Sequence, residues 1–174
     1  MNGEMYHRRT IRLPEYDYSL PGAYFITICT HGQKSLFGEI VDGVMNLNQF
    51  GDIVDQVMNT LQIRYPNLEV SPYVIMPNHV HLILNVNDVG AIHELPLPNP
   101  ITMVERRKMT LPIVVGYFKM NTAKSINLFR HTRGQPVWQR NFYEHIIRNE
   151  QDMQMISEYI IANPAARSTD LEIH

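Results

Sequence analysis

Cysteine is almost absent from this sequence, which contains Cys29 and no other. One thiol excludes an internal disulfide framework and is typical of a protein from a reducing compartment. No apolar run approaches the roughly 20 residues that a transmembrane helix needs, and residues 1–10 lack the apolar segment of a signal peptide. We therefore expect a cytoplasmic protein with no membrane segment.

Net positive charge is also lacking, because the formal charge at pH 7 is −2. The distribution, however, is uneven. Residues 13–100 contain two basic and nine acidic side chains, whereas residues 101–148 contain nine basic and two acidic ones. Arg8, Arg9 and Arg12 form a further basic cluster near the start. This asymmetry predicts a positive face that binds a polyanion. The alternative is a solvated helix face whose charges pair within the fold.

The hydrophobic periodicity predicts one domain, residues 1–174, that alternates strands with helices. A basic arm (1–22), a connection (32–43) and a flexible proline-rich insertion (87–111) are the segments without a regular pattern. Four strands are predicted over 23–31, 44–50, 68–77 and 79–86, with a short fifth piece at 137–138; helices are predicted over 51–67, 111–134 and 149–168. Strands joined by short turns indicate an α+β fold, an antiparallel β-sheet with helices packed on one face.

Three local signals refine these boundaries. Pro72 suggests that its strand lies at an edge or contains a bulge. Gly134 is expected to close the second helix. Asn149 is expected to cap the third helix, which the Asn163-Pro164 pair ends.

The stretch VIMPNHVHLILNV, residues 74–86, contains two histidines two residues apart in an apolar, β-branched run. Residues i and i+2 of a strand share one face, so His79 and His81 project side by side while Val80 and Leu82 point to the other face. Two imidazoles on one face make half of a metal site. Surface or core histidines remain the alternative for this pair taken alone.

The last predicted helix contains Tyr159 and Asn163, which lie on one helical face because they are four residues apart. Tyrosine is a covalent nucleophile in some enzymes, and an amide oxygen is a ligand suited to Mg²⁺ or Mn²⁺. Two imidazoles and one amide oxygen leave coordination positions open for water and a phosphate oxygen, as metal-assisted phosphoryl transfer requires. A core tyrosine and an ordinary helix-terminal asparagine are the alternatives.

Two of these stretches resemble a known family. MPNHVHLIL resembles the histidine–hydrophobic–histidine motif of HUH endonucleases. VWQRNFYEHIIRNEQD followed by EYIIANPAAR is similar to the C-terminal signature of REP-associated tyrosine transposases, within the single-tyrosine transposases. The resemblance spans about residues 8–167, and the motifs occur in the family's order.

The resemblance implies a ferredoxin- or RRM-like HUH transposase fold. It implies that His79, His81 and Asn163 bind a divalent metal, Mg²⁺ or Mn²⁺, and that Tyr159 is the nucleophile. The expected substrate is single-stranded DNA with hairpin elements, cut and rejoined through a 5′-phosphotyrosine. A homodimer is an alternative that the sequence leaves open.

Several roles stay open between function and structure. Tyr143 is the rival nucleophile, and His145 could orient a phosphate. Trp138 and Phe142 are candidates for base stacking or for the core. Side chains expected to contact the DNA backbone are Arg8, Arg9, Arg12, Lys119, Lys124, Arg140 and Arg148. The alternative functions are a domesticated, non-cleaving protein that binds DNA hairpins and an RRM-like RNA-binding module, which would need exposed aromatic residues such as Tyr24 and Phe25.

Overall fold

The protein forms a four-stranded antiparallel sheet flanked by three helices, as seen in a computed structural model that describes residues 16–87 and 109–165. Arg8, Arg9 and Arg12 of the predicted arm, and most of the predicted insertion, lie outside the described residues. The main strands are β1 (Gly22–Cys29), β4 (Leu68–Ile75), β5 (His79–Val86) and β6 (Tyr143–Ile147), in the spatial order β4-β5-β1-β6. The predicted α+β class with an antiparallel sheet is confirmed.

Both faces of the two central strands are buried, because helices cover the sheet from both sides. Val80, Leu82 and Leu84 of β5 pack in the larger core, together with side chains from α1 (Gln49–Arg64) and α2 (Thr110–Phe129). Ile83, on the other face, packs with Ile156 and Ile160 of α3 (Glu150–Ala162). The prediction that all helices share one face is therefore wrong. The apolar side chains of Phe25, Ile83 and Ile147 give the second face a core of its own.

Two short strands form a hairpin, of which only the second was predicted from the sequence. β2 (Gly38–Val41) pairs with β3 (Val44–Leu47), so residues 38–41 are a strand and not part of a connection. Asp42 and Gly43 at its tip have φ angles of 51° and 75°. Positive φ at both central residues is what a two-residue hairpin turn with the strands' twist requires, and Asp-Gly is a preferred pair there.

The helix boundaries follow from capping and from residues that disfavour the helix. The Asn48 side chain accepts hydrogen bonds from the backbone N–H groups of Phe50 and Gly51, so α1 begins two residues before the predicted start. Asn149 accepts from the N–H of Asp152 at 2.8 Å, which confirms the predicted cap of α3. The prediction for Gly134 is wrong: α2 ends at Phe129, and His131 already has a left-handed φ of 53°.

The short strand predicted at residues 137–138 is wrong, because the edge strand of the sheet lies further downstream. Trp138 makes a single bridge to Thr30, whereas the paired strand is β6, which runs antiparallel to β1 from Tyr143 to Ile147. β4 forms the opposite edge of the sheet and has a register shift between Val70 and Tyr73, so both alternatives predicted from Pro72, an edge strand or a bulge, are present. None of the helices in 16–87 and 109–165 has the length and apolar character needed to cross a bilayer.

Candidate active site

The two histidines of β5 lie side by side on the sheet face that α3 covers. Their ring centroids are 4.4 Å apart, and each side chain is only 6% exposed. This arrangement follows from the period of two along a strand. The predicted pairing of His79 and His81 on one face is therefore present in the structure.

A polar neighbour holds each imidazole through its Nδ1 atom. Thr27 Oγ1 lies 2.8 Å from His81 Nδ1, because Thr27 and His81 are cross-strand partners in the pairing of β1 with β5. Asn78 Oδ1 lies 2.7 Å from His79 Nδ1. A hydrogen bond at Nδ1 fixes the ring orientation and the tautomer of a metal-binding histidine. With the proton donated from Nδ1, Nε2 of each ring carries the lone pair that can face a cation or a hydroxyl donor.

Helix α3 brings the predicted nucleophile to this pair. Tyr159 Oη lies 3.3 Å from His81 Nε2. Ile156 and Ile160, which flank Tyr159 in the helix, are buried against the sheet and fix the height and rotation of α3. Phe25 stacks on the His81 ring, with centroids 5.3 Å apart, and meets the Tyr159 ring edge-on. The aromatic contacts keep the Tyr159 side chain over His81.

The His81 imidazole is neutral at physiological pH. Burial, with a smaller contribution from His79, lowers the pKa of His81 from 6.5 to about 3. The cause is desolvation, which disfavours the charged ring. The neutral form is the one that ligates a metal ion.

Asn163, the predicted third ligand, is 5% exposed and lies at the end of α3, one helical turn beyond Tyr159 and on the same side of the helix. Within residues 16–87 and 109–165, no three His, Cys, Asp or Glu side chains are placed to hold a metal ion. A cation at the histidine pair would thus take its further ligands from an amide oxygen, water or substrate. Oxygen ligands of this kind suit Mg²⁺ or Mn²⁺.

Tyr143, the rival nucleophile, occupies the same face of the sheet but a different place. It pairs with Thr27 across β1 and β6, and Thr27 pairs with His81 on the other side. Two strand spacings, about 10 Å, therefore separate the backbones at Tyr143 and His81. The Tyr143 side chain is 50% exposed. Of the two tyrosines, Tyr159 is the one whose hydroxyl contacts the histidine pair.

His145 lies two residues after Tyr143 on β6 and interacts with the start of α3. Its Nε2 atom is 3.0 Å from Asp152 Oδ2, and the same carboxylate accepts a hydrogen bond from the Arg148 backbone N–H at 3.4 Å. These contacts tie β6 to α3 near the helix N-terminus. The side chain of Arg148 is exposed.

The other predicted DNA contacts divide by exposure. The Lys119 ammonium donates to the carbonyl oxygens of Gln139, Arg140 and Asn141, so it orders the loop before β6. Lys124 and the Arg140 side chain are exposed.

Both aromatic side chains proposed for stacking or core belong to the core. Trp138 and Phe142 are 7% and 6% exposed. The indole N–H of Trp138 donates to Thr122 Oγ1 at 2.8 Å, so its polar edge is also satisfied inside the protein. Neither ring is available to a base.

Sequence reasoning missed Thr27, Asn78 and Asp152 as partners of the histidines. Asn78 carries a local signal, since it directly precedes His79. Thr27 and Asp152 carry none, because their roles depend on strand register and on how α3 docks.

Two proteins and one solved structure are similar to this chain. No family model matches the sequence. An uncharacterized protein of Haemophilus influenzae is 38% identical over 170 residues, which cover 94% of this chain and 91% of that protein, and the chain belongs to its family. A second protein of the same organism, named "Putative REP-associated tyrosine transposase", is 29% identical over 100 residues, covering 58% of this chain and 51% of that protein.

Among solved structures, a REP-associated tyrosine transposase bound to a REP hairpin matches with a TM-score of 0.58 and 17% identity, over 88% of this chain and 72% of that chain. The resemblance to REP-associated tyrosine transposases is confirmed. The feature that the two structures share is the α+β fold, an antiparallel sheet of four strands with three helices.

Proposed function

We propose that this protein is a transposase-like enzyme that cuts and rejoins single-stranded DNA at hairpin-flanked sites, with Tyr159 as the nucleophile. The observation that carries the proposal is the 3.3 Å contact between Tyr159 Oη and Nε2 of His81 at a buried histidine pair. This contact joins two segments that the sequence separates by 78 residues. A tyrosine nucleophile beside metal-binding imidazoles is the arrangement that transfer of a phosphoryl group to tyrosine requires.

The proposed reaction is a substitution at phosphorus. Tyr159 Oη forms a bond to the phosphorus while the bond from phosphorus to the 3′-oxygen breaks. The tyrosine hydroxyl loses its proton and the leaving 3′-oxygen gains one, so the products are a 5′-phosphotyrosine and a 3′-hydroxyl. The reverse step with another 3′-hydroxyl rejoins DNA, because the phosphotyrosine retains an ester bond.

The donor atoms at the site fit a hard divalent cation. His79 and His81 would supply Nε2 atoms, since Nδ1 of each ring already has a partner, and Asn163 would supply a carbonyl oxygen. When bound, Mg²⁺ or Mn²⁺ stabilises the negative charge that develops on the phosphoryl oxygens. The tyrosine hydroxyl needs such help, because its ordinary pKa of about 10 makes it a poor nucleophile at neutral pH.

Two alternatives lead to different expectations. An RRM-like RNA-binding module needs exposed aromatic rings on its central strands, but Tyr24 is fully buried and Phe25 is 6% exposed beneath α3. The RNA-binding alternative therefore loses its support. A domesticated hairpin-binding protein would keep the fold without needing a buried histidine pair in contact with a tyrosine hydroxyl.

A covalent-adduct assay tests the proposal. The protein is incubated with hairpin DNA bearing single-stranded tails from its genomic flanks, with Mg²⁺ or Mn²⁺ and in parallel with EDTA, and then run on a denaturing gel. We expect a metal-dependent adduct in the wild type that is lost in Tyr159→Phe. An adduct lost only in Tyr143→Phe would overturn the assignment of the nucleophile. Tight hairpin binding without any adduct would favour the non-cleaving alternative.

A further inference from the structure

The sheet face that carries the histidine pair extends beyond α3, and the Tyr143 ring on this part of the face is exposed to solvent. Tyr143 is 50% exposed and is the most exposed tyrosine of the described ranges. It shares a row of the sheet with His81 and Thr27, because cross-strand partners project from the same face. The ring thus lies on the same surface as the candidate site, about 10 Å away in backbone terms.

Among the residues that the structure describes, Tyr143 belongs to neither of the two apolar core clusters. The apolar cluster under α3 contains Phe25, Ile147 and Tyr159 but not Tyr143. In 16–87 and 109–165, the Tyr143 ring makes no aromatic contact, and its hydroxyl makes no hydrogen bond. A half-exposed ring on an edge strand beside a site for phosphoryl transfer is suited to contact the substrate.

The position of Tyr143 is nevertheless well defined. His145, two residues along the same strand, interacts with Asp152 at 3.0 Å, and the Arg148 backbone N–H also reaches that carboxylate. These contacts fix β6 relative to the helix that carries Tyr159. A ring that is already held at a fixed distance from Tyr159 can position the substrate with little loss of its own conformational freedom on binding.

We propose that Tyr143 stacks on an unpaired base of the DNA strand near the phosphate that Tyr159 attacks. This inference rests on the proposed function and adds a subsite to it, with single-stranded DNA as the ligand. Stacking suits a base because every base presents a π face, and such contacts stabilise single-strand binding with little sequence preference. Tyr143 then acts through binding and positioning of the strand, not as a second nucleophile.

The test measures binding of hairpin DNA with single-stranded tails in EDTA, so that cleavage does not interfere. One base of the tail at a time is replaced by an abasic site. For Tyr143→Ala we expect an affinity loss of about 5- to 150-fold on the intact strand, the range of a single base stack. Tyr143→Phe keeps the ring and should recover most of that loss.

The abasic series supplies the decisive comparison. The wild type should lose affinity at one tail position, and Tyr143→Ala should be insensitive to the same replacement. Phe129→Ala is the matched control, because Phe129 is a ring of similar exposure (49%) at the end of α2 that packs edge-on against Phe50. It should bind DNA like the wild type.

The outcomes separate this inference from the proposed function. Wild-type affinity in Tyr143→Ala, or an equal loss at every abasic position, would overturn the stacking subsite even if the Tyr159 adduct forms. Base-dependent binding through Tyr143 in a protein that forms no adduct would support the subsite while refuting the cleavage chemistry. Circular dichroism of each variant shows whether a loss of affinity reflects unfolding.

Discussion

Tyr159 Oη and His81 Nε2 are 3.3 Å apart, and the Nε2 lone pair that can accept the tyrosine proton is also the one that would bind a cation. The hydrogen bond and a metal ligand at this atom are therefore mutually exclusive. This competition links the two halves of the candidate site, because binding of a divalent ion at His81 would release the Tyr159 hydroxyl.

The first prediction follows from that competition. Tyr159→Phe removes the hydrogen bond to His81 Nε2 without removing the ring that packs on Phe25. We expect the variant to bind Mn²⁺ as tightly as the wild type or more tightly, while the covalent adduct is lost. Isothermal titration calorimetry with Mn²⁺ measures the first quantity. Weaker Mn²⁺ binding in Tyr159→Phe would show that the tyrosine itself ligates the metal.

Thr27 supports the second prediction. Its hydroxyl lies 2.8 Å from His81 Nδ1, and partners of this kind orient a metal-binding ring and set its tautomer. Thr27→Val keeps the shape but removes the hydroxyl, and it should weaken Mn²⁺ binding about 10- to 100-fold. Thr27→Ser should restore most of the affinity. A Thr27→Val protein with unchanged Mn²⁺ affinity would mean that the packing of Phe25 alone orients His81.

Strand periodicity accounts for what the sequence could predict at the site. In β5, the alternation places His79 and His81 on one face whatever the rest of the fold does, and the i, i+4 spacing likewise aligns Tyr159 with Asn163. Asn149 was recognisable as a helix cap because capping is local chemistry. These features depend on neighbours within one turn or one strand.

The remaining features depend on contacts between distant segments. Thr27 becomes a partner of His81 only through the register of β1 against β5, and α3 covers the second face only because Phe25, Ile83 and Ile147 line it. Trp138 illustrates the same limit, since stacking and burial were equally consistent with its neighbours. A buried Thr122 hydroxyl, sixteen residues away, satisfies its indole N–H. The position of β6 was not predicted correctly, because the segment Tyr143–Ile147 mixes charged, polar and aromatic residues.

The third prediction concerns stability in acid. The pKa of His81 is about 3 in the folded protein and about 6.5 when unfolded, so only the unfolded chain takes up a proton between these values. Stability should therefore fall as the pH drops below 6.5, with His81 contributing about 2 kcal/mol of the loss between pH 7 and pH 5. Urea unfolding in EDTA at the two pH values measures the difference.

The variant His81→Gln removes that titration and should show a correspondingly smaller loss between pH 7 and pH 5. Between pH 8 and pH 7 the His81 contribution should change by only about 0.1 kcal/mol, because about three quarters of His81 is still neutral in the unfolded chain at pH 7. An equal acid loss in wild type and His81→Gln would show that other groups dominate and that His81 is not held neutral by the fold.

The last prediction separates two lysines of α2 that both looked like DNA contacts. The Lys119 ammonium donates to three carbonyls of the loop 139–141, whereas Lys124, five residues further along α2, is exposed. Lys119→Met leaves those carbonyls without their charged donor and should cost about 1–3 kcal/mol of unfolding free energy. Lys124→Met should leave that free energy within about 0.5 kcal/mol of the wild type.

If Lys124 contacts a phosphate, its loss lowers the salt dependence of hairpin binding by about one released counterion. Urea unfolding and a salt titration of hairpin affinity measure the two effects, and an unchanged salt slope in Lys124→Met would remove Lys124 from the DNA-binding face.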